Sequence, residues 1–163
     1  MVKIFHQVIQ DIPGKLLFVG DGPERTTAES LVRDLGICDD VRFVGKQEQM
    51  EDILAIADVF LLTSEYESFG LAALEAMASG VPVVSTNAGG LPEIMVEGVT
   101  GFMGNVGDVD AMARHTINIL SDDARLKEFK TNASAHARQF DIQNIIPIYE
   151  KLYESVRIQI PST

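Results

Sequence analysis

The stretch Glu67-Ser68-Phe69-Gly70-Leu71 lies between an apolar strand-like run and an apolar helical run. Ser68 belongs to the residue types that cap a helix N-terminus. A helix opened there leaves the backbone N–H groups of Phe69, Gly70 and Leu71 in its first turn, without intrahelical acceptors. Together with the helix dipole, roughly half a positive charge, such groups form an anion site. Gly70 has no side chain to keep a phosphate from the backbone. The same turn also reads as an ordinary capped helix with water at its end.

Glu75 adds a second observation. It is the only charged residue in Phe69–Ser79, a run otherwise made of small and apolar side chains. Small residues let a helix pack close to a sheet, so most of this helix is expected to be buried. A buried carboxylate is costly unless it is paired or faces water. Glu75 follows Glu67 by about two helical turns, near 12 Å on an ideal helix. Two carboxylates so placed could hold hydroxyls at both ends of a nucleotide sugar, with the diphosphate against the N–H groups between them. The alternative puts Glu75 on the outer face, paired with a surface base.

The elements that must position these groups are legible as alternating runs. Val2–Ile12 has a helical period and is broken by Pro13-Gly14. Leu16–Val19, Val41–Val44, Val59–Leu62, Val81–Ser85 and Gly101–Met103 read as short strands bounded by turn residues. Helical stretches fall at 28–35, 47–57, 69–79, 91–96, 108–120, 122–139 and 142–158. The strands are apolar on both sides, so helices must cover both faces. That pattern predicts an α/β, Rossmann-like, doubly wound parallel sheet. In such a sheet, ligands bind at the carboxyl ends of the strands.

Composition sets the boundaries. The chain has 163 residues, enough for one domain with a real core. Thirteen basic against 24 acidic residues give a net charge of −11, which repels a phosphate backbone and argues against general nucleic-acid binding. The single cysteine, Cys38, cannot form an internal disulfide, which points to the cytoplasm. No apolar run reaches the length of a membrane span, and no signal-peptide pattern opens the chain. His6, His115 and His136 read as surface or packing residues, and Asp39-Asp40 and Asp122-Asp123 do not form a metal-ligand set.

Taken together, the blocks resemble a known family. Glu67-x7-Glu75 is similar to the E-x7-E motif of the family 4 retaining glycosyltransferases, which have the GT-B fold. Gly20-Asp21-Gly22-Pro23-Glu24, Val41-Arg42-Phe43-Val44-Gly45, Ala78-Ser79-Gly80-Val81-Pro82-Val83-Val84, Gly89-Gly90-Leu91-Pro92-Glu93-Ile94 and Glu97-Gly98-x-Thr100-Gly101-Phe102 resemble the family's donor-domain blocks, in the family's order. The resemblance implies that Glu75 binds the ribose of a UDP-sugar and Glu67 the hydroxyls of the transferred sugar, making Glu67 the candidate catalytic residue. It implies that Ser68, Phe69, Gly70 and Leu71 hold the distal phosphate or the sugar. Val44, Gly45 and Lys46 would lie by the uracil, and Gly20 and Gly22 would line the same cleft. It further implies transfer with retention of configuration, no metal, and a pair such as UDP-N-acetylglucosamine as donor and L-malate as acceptor. The competing expectation is a nucleotide- or phosphate-binding module without transferase activity.

The departures shape the remaining expectations. The family's acceptor domain has no counterpart here, nor has the donor domain's first strand with its basic pair. The chain is therefore expected to be one half of a GT-B fold, residues 1–163 being the donor-binding domain and inactive alone. In the order 3-2-1-4-5-6, the absent strand lies between the runs Leu16–Val19 and Val59–Leu62. The expectation is self-association through that open edge. Direct closure of the two strands and replacement by another segment are the alternatives.

Overall fold

The computed structural model describes residues 1–158. Five short strands alternate with helices in the expected order. Helix α1 (Val2–Asp11) precedes β1 (Leu16–Val19), α2 (Arg25–Asp34), β2 (Val41–Gly45) and α3 (Met50–Ala55). β3 (Phe60–Leu62), α4 (Leu71–Ala78), β4 (Val83–Thr86), α5 (Leu91–Ile94) and β5 (Gly101–Gly104) follow. Three helices close the chain: α6 (Val109–Leu120), α7 (Asp123–Ala137) and α8 (Ile142–Ile158).

All strand pairings are parallel, as the two-faced apolar runs require. β4 shows why helices must lie on both sides. Its Val83 packs into a cluster with Ala73, Ala76 and Met77 of α4, Leu91 and Ile94 of α5, and Ala133 of α7. The next residue, Val84, points the other way, toward Ile4 and Val8 of α1 and Met112 and Ile119 of α6. Successive side chains of a strand alternate faces, so two adjacent valines serve two separate cores.

The sheet is in two pieces. β1 pairs with β2, and β3, β4 and β5 pair in that order. Among the described residues, β1 and β3 are not hydrogen-bonded to each other and no other strand lies between them. Direct closure and local replacement, two of the three expected outcomes, are thus overturned within this chain. The pieces are joined by side chains instead. Val2 and Phe5 of α1 pack with Leu16 and Val41, while Ile4 and Val8 of the same helix pack with Val84 and Ile119. Leu61 of β3 touches both clusters.

Two sequence expectations need correction at α4. The helix begins at Leu71, not Phe69, and its N-cap is Gly70 rather than Ser68. Gly70 has φ +94°, a conformation that side-chain-bearing residues rarely adopt, so it stops the helix from starting earlier. The helix is also not mostly buried. Ala73, Ala76 and Met77 form its covered face, while Leu71, Ala72, Glu75 and Ala78 are exposed.

Candidate functional site

The expected site residues fall into two groups, each at the carboxyl ends of its own strands. Gly20, Gly22, Val44, Gly45 and Lys46 belong to the two-stranded piece. Glu67 to Leu71 and Glu75 belong to the loop and helix that follow β3. No hydrogen bond or ion pair among the described residues crosses from one group to the other.

In the first group, the Gly20 N–H donates to the Gly45 carbonyl at 2.8 Å, which sets the two strand ends side by side. Asp21, Gly22 and Lys46 line an open cleft of ≈ 250 Å³. Lys46 is exposed and has no ion-pair partner among the described residues, so its ammonium is available to an anion. The Val44 carbonyl accepts from the Gln47 amide at 2.7 Å. Any ligand contact to that carbonyl must share it with Gln47.

Arg25 belongs beside this group and was missed by the sequence reading. Its guanidinium lies over the Phe43 ring, 5.7 Å from the centroid, a cation–π arrangement. It hydrogen-bonds Glu29 at 2.8 Å and lies 3.9 Å from Asp21. The hydrogen bond to Glu29 raises its pKa above the ordinary guanidinium value. The readable signal was electrostatic: a cation in a helix's first turn opposes the dipole, so Arg25 needs a compensating partner, and Glu29 stands at i,i+4, where the two side chains can meet.

In the second group, Glu67 does something the sequence reading did not foresee. Its Oε1 accepts from the Gly70 N–H at 3.0 Å. A carboxylate of the chain itself thus sits at the N-terminal end of α4, where an anion was expected. The Leu71 and Ala72 amides remain in the first turn, where no intrahelical acceptor exists. Ser68, Phe69 and Leu71 are exposed, and Tyr66 is nearly free (93% exposed). Glu75 is exposed one turn into the helix, and its carboxylate makes no hydrogen bond or ion pair among the described residues. The alternative that paired it with a surface base is therefore not what the structure contains.

The loop holding Glu67 rests on the segment after β4. The Thr86 hydroxyl donates to the Ser64 carbonyl at 2.6 Å, and the Gly90 N–H donates to the Glu67 carbonyl at 3.1 Å. A Cβ on Gly89 would come within 1.6 Å of the Glu67 carbonyl oxygen, and one on Gly90 within 2.7 Å of the Ser68 carbonyl oxygen. Backbone lies directly on backbone here, which only glycine permits. The sequence reading quoted Gly89 and Gly90 in a family block but gave them no place in the site.

Two of the three histidines pack against aromatic rings. His115 stacks on Phe102 with centroids 4.7 Å apart, and His136 meets Phe140 edge-on. Among the described residues, no three His, Cys, Asp or Glu side chains are grouped as metal ligands. None of the described helices is long and apolar enough to cross a membrane.

Comparison with known proteins places the whole chain. The profile of the glycosyl transferases group 1 matches residues 1–136. The chain is 42% identical over 161 residues to N-acetyl-alpha-D-glucosaminyl L-malate synthase of Bacillus anthracis, covering 96% of this chain and 41% of that protein. It is 35% identical to the lipopolysaccharide core biosynthesis glycosyltransferase LpsE of Rhizobium meliloti, covering 94% of this chain and 46% of that one. Sucrose-phosphate synthase from Thermosynechococcus elongatus superposes with a TM-score of 0.82 at 30% identity, over 98% of this chain and 43% of that one. Anabaena HepE, solved in complex with UDP and glucose, gives a TM-score of 0.81 at 27% identity, over 96% of this chain and 44% of its own. The chain thus spans less than half the length of each of these four relatives.

Proposed function

Because the chain belongs to the glycosyl transferases of group 1, we propose that it is the nucleotide-sugar-binding domain of a retaining transferase. The observation that carries this reading is the loop Glu67 to Leu71 at the start of α4, with an exposed and unpartnered Glu75 one turn further on. Glu75 takes the ribose hydroxyls, and Glu67 the hydroxyls of the transferred sugar. The Phe69, Gly70 and Leu71 backbone, with Ser68, takes the distal phosphate. The donor reaches the first amides of α4 as Glu67 releases the Gly70 N–H and turns to the sugar. Gly20, Gly22, Val44, Gly45 and Lys46 form the wall for the base, with Arg25 behind it on Phe43.

Transfer breaks the bond between the anomeric carbon and the phosphate oxygen, and forms one between that carbon and an acceptor hydroxyl oxygen. The acceptor's proton passes to the leaving phosphate, so no side-chain base and no metal is needed. The malate-synthase relative supports N-acetylglucosamine as the transferred sugar and a small hydroxy acid such as L-malate as acceptor, and the UDP bound in HepE supports UDP as the sugar's carrier. The acceptor is held by a domain outside these 163 residues, so this chain alone transfers nothing. The single unpaired thiol, Cys38, supports a cytoplasmic setting.

Calorimetry with UDP, UMP and ADP tests the reading. Selective binding of UDP supports it. Broad binding of all three favours a phosphate-binding module, and no binding removes the ligand site. The open edges of β1 and β3 also favour pairing with a second copy of the chain. Sedimentation at micromolar concentration is expected to show association, and a strict monomer overturns that part.

A further inference from the structure

The reading above needs Glu67 in one place, yet Glu67 lies on a loop of eight residues between β3 and α4. Eight residues without regular structure have many conformations to lose, so something else must hold the loop. What lies beneath it is the end of β4. That strand is buried along its whole length, and its last residue is Thr86, 1% exposed. Threonine at the end of Val83-Val84-Ser85 carries a hydroxyl into an interior position, where it must find an acceptor. The acceptor is the Ser64 carbonyl, 2.6 Å away, at the start of the loop. Further along, the loop lies on Gly89 and Gly90 with no room for a side chain. At its end, Gly70 meets the Leu91 and Ile94 side chains, either of which would stand within 3.0 Å of a Cβ there.

We propose that Thr86 is the positioning residue for Glu67: its buried hydroxyl pins the loop at Ser64, and the Gly89-Gly90 bed carries that register to the Glu67 carboxylate. Thr86 touches no substrate and acts through the loop alone. The inference rests on the reading that this loop meets the transferred sugar and the distal phosphate while the nucleoside is held by other residues. Its effect therefore falls on the sugar and the distal phosphate and spares the nucleoside with its first phosphate. A hydroxyl that merely stabilised the fold would weaken both.

The variant Thr86→Val keeps the shape and removes the donor, and Thr86→Ser restores it. Two measurements on the whole chain decide. The first is the ratio of affinities for UDP-N-acetylglucosamine and UMP, which lacks the distal phosphate as well as the sugar. T86V should lower the first about tenfold, with UMP unchanged within about twofold, since the stranded Ser64 carbonyl loses one buried bond. T86S should recover most of the loss. The second measurement is amide hydrogen exchange without ligand, where T86V should speed exchange at Gly70 and Gly90 while β4 stays protected. Equal losses for both ligands, or wild-type exchange at Gly70 and Gly90 in T86V, overturn the proposal. If the wild type binds neither ligand, the functional reading of the site fails, and the exchange arm alone decides whether Thr86 sets the loop.

Discussion

β4 is buried at all four of its residues, whereas β1 is buried only at Leu16, and β2 only at Val41. The two strands of the smaller piece have a neighbour on one edge only, and the larger piece places β4 between β3 and β5. An interior strand with helices on both faces loses nearly all contact with water, while an unpaired edge keeps side chains such as Leu17 37% exposed. The candidate site draws on both regions. The acidic loop and α4 rest on the firm piece, and the loops assigned to the base rest on the open one. The contrast teaches where rigidity is available: the carboxylate loop rests on a packed bed, and the base wall is held by two strands with α1 and α2.

The largest effect that can break this comparison is a cavity in each piece. Met77 is fully buried in the larger piece, so Met77→Ala should cost about 2–5 kcal/mol. Leu17→Ala on β1 should cost under about 1 kcal/mol, because much of that side chain is already in water. Thermal or urea unfolding of the two variants checks the ordering, and a reversed order ends the distinction.

Next in size is Glu75→Ala. A charge-assisted hydrogen bond to a ribose hydroxyl contributes about 1.5–3 kcal/mol, so UDP affinity should fall by at least tenfold while the unfolding midpoint stays put. Because Glu75 is exposed and unpaired, a large loss of stability in this variant would point instead to a structural bond formed in solution. Unchanged affinity would remove its ribose role.

A smaller effect is expected at Lys46. Its ammonium is exposed, so Lys46→Ala should weaken UDP binding by about 0.2–1 kcal/mol, and the difference should shrink as salt rises. Titrations at low and high ionic strength check this. An effect as large as that of Glu75 would mean that the base wall is better ordered than β1 and β2 suggest.

Much of this was legible in the residues. Apolar runs bounded by turn and polar residues located every strand within about two residues, and Val83-Val84 announced a sheet covered on both faces. The slot between the two pieces followed from the family resemblance, through the first strand that has no counterpart here. The details of the turn were not legible, because they depend on partners distant in sequence. Ser68 looked like a cap, but Gly70 takes that place under the side chains of Leu91 and Ile94. Glu67 reaches the Gly70 amide three residues on, a local spacing that could have been read. Thr86 left a fainter trace, a hydroxyl at the end of an apolar strand, and only the fold shows the carbonyl it meets. Glu75 was expected on a buried helix; only the packing of α4 reveals that its face is open.

The central claim is that one nucleotide sugar is held by both pieces of the sheet at once. Amide-resolved NMR of the labelled chain, titrated with UDP, tests it directly. The account predicts shifts in two groups that saturate together, Gly20 to Gly22 with Val44 to Lys46, and Gly70 to Glu75. Shifts confined to one group, or two groups saturating at different UDP concentrations, would contradict it.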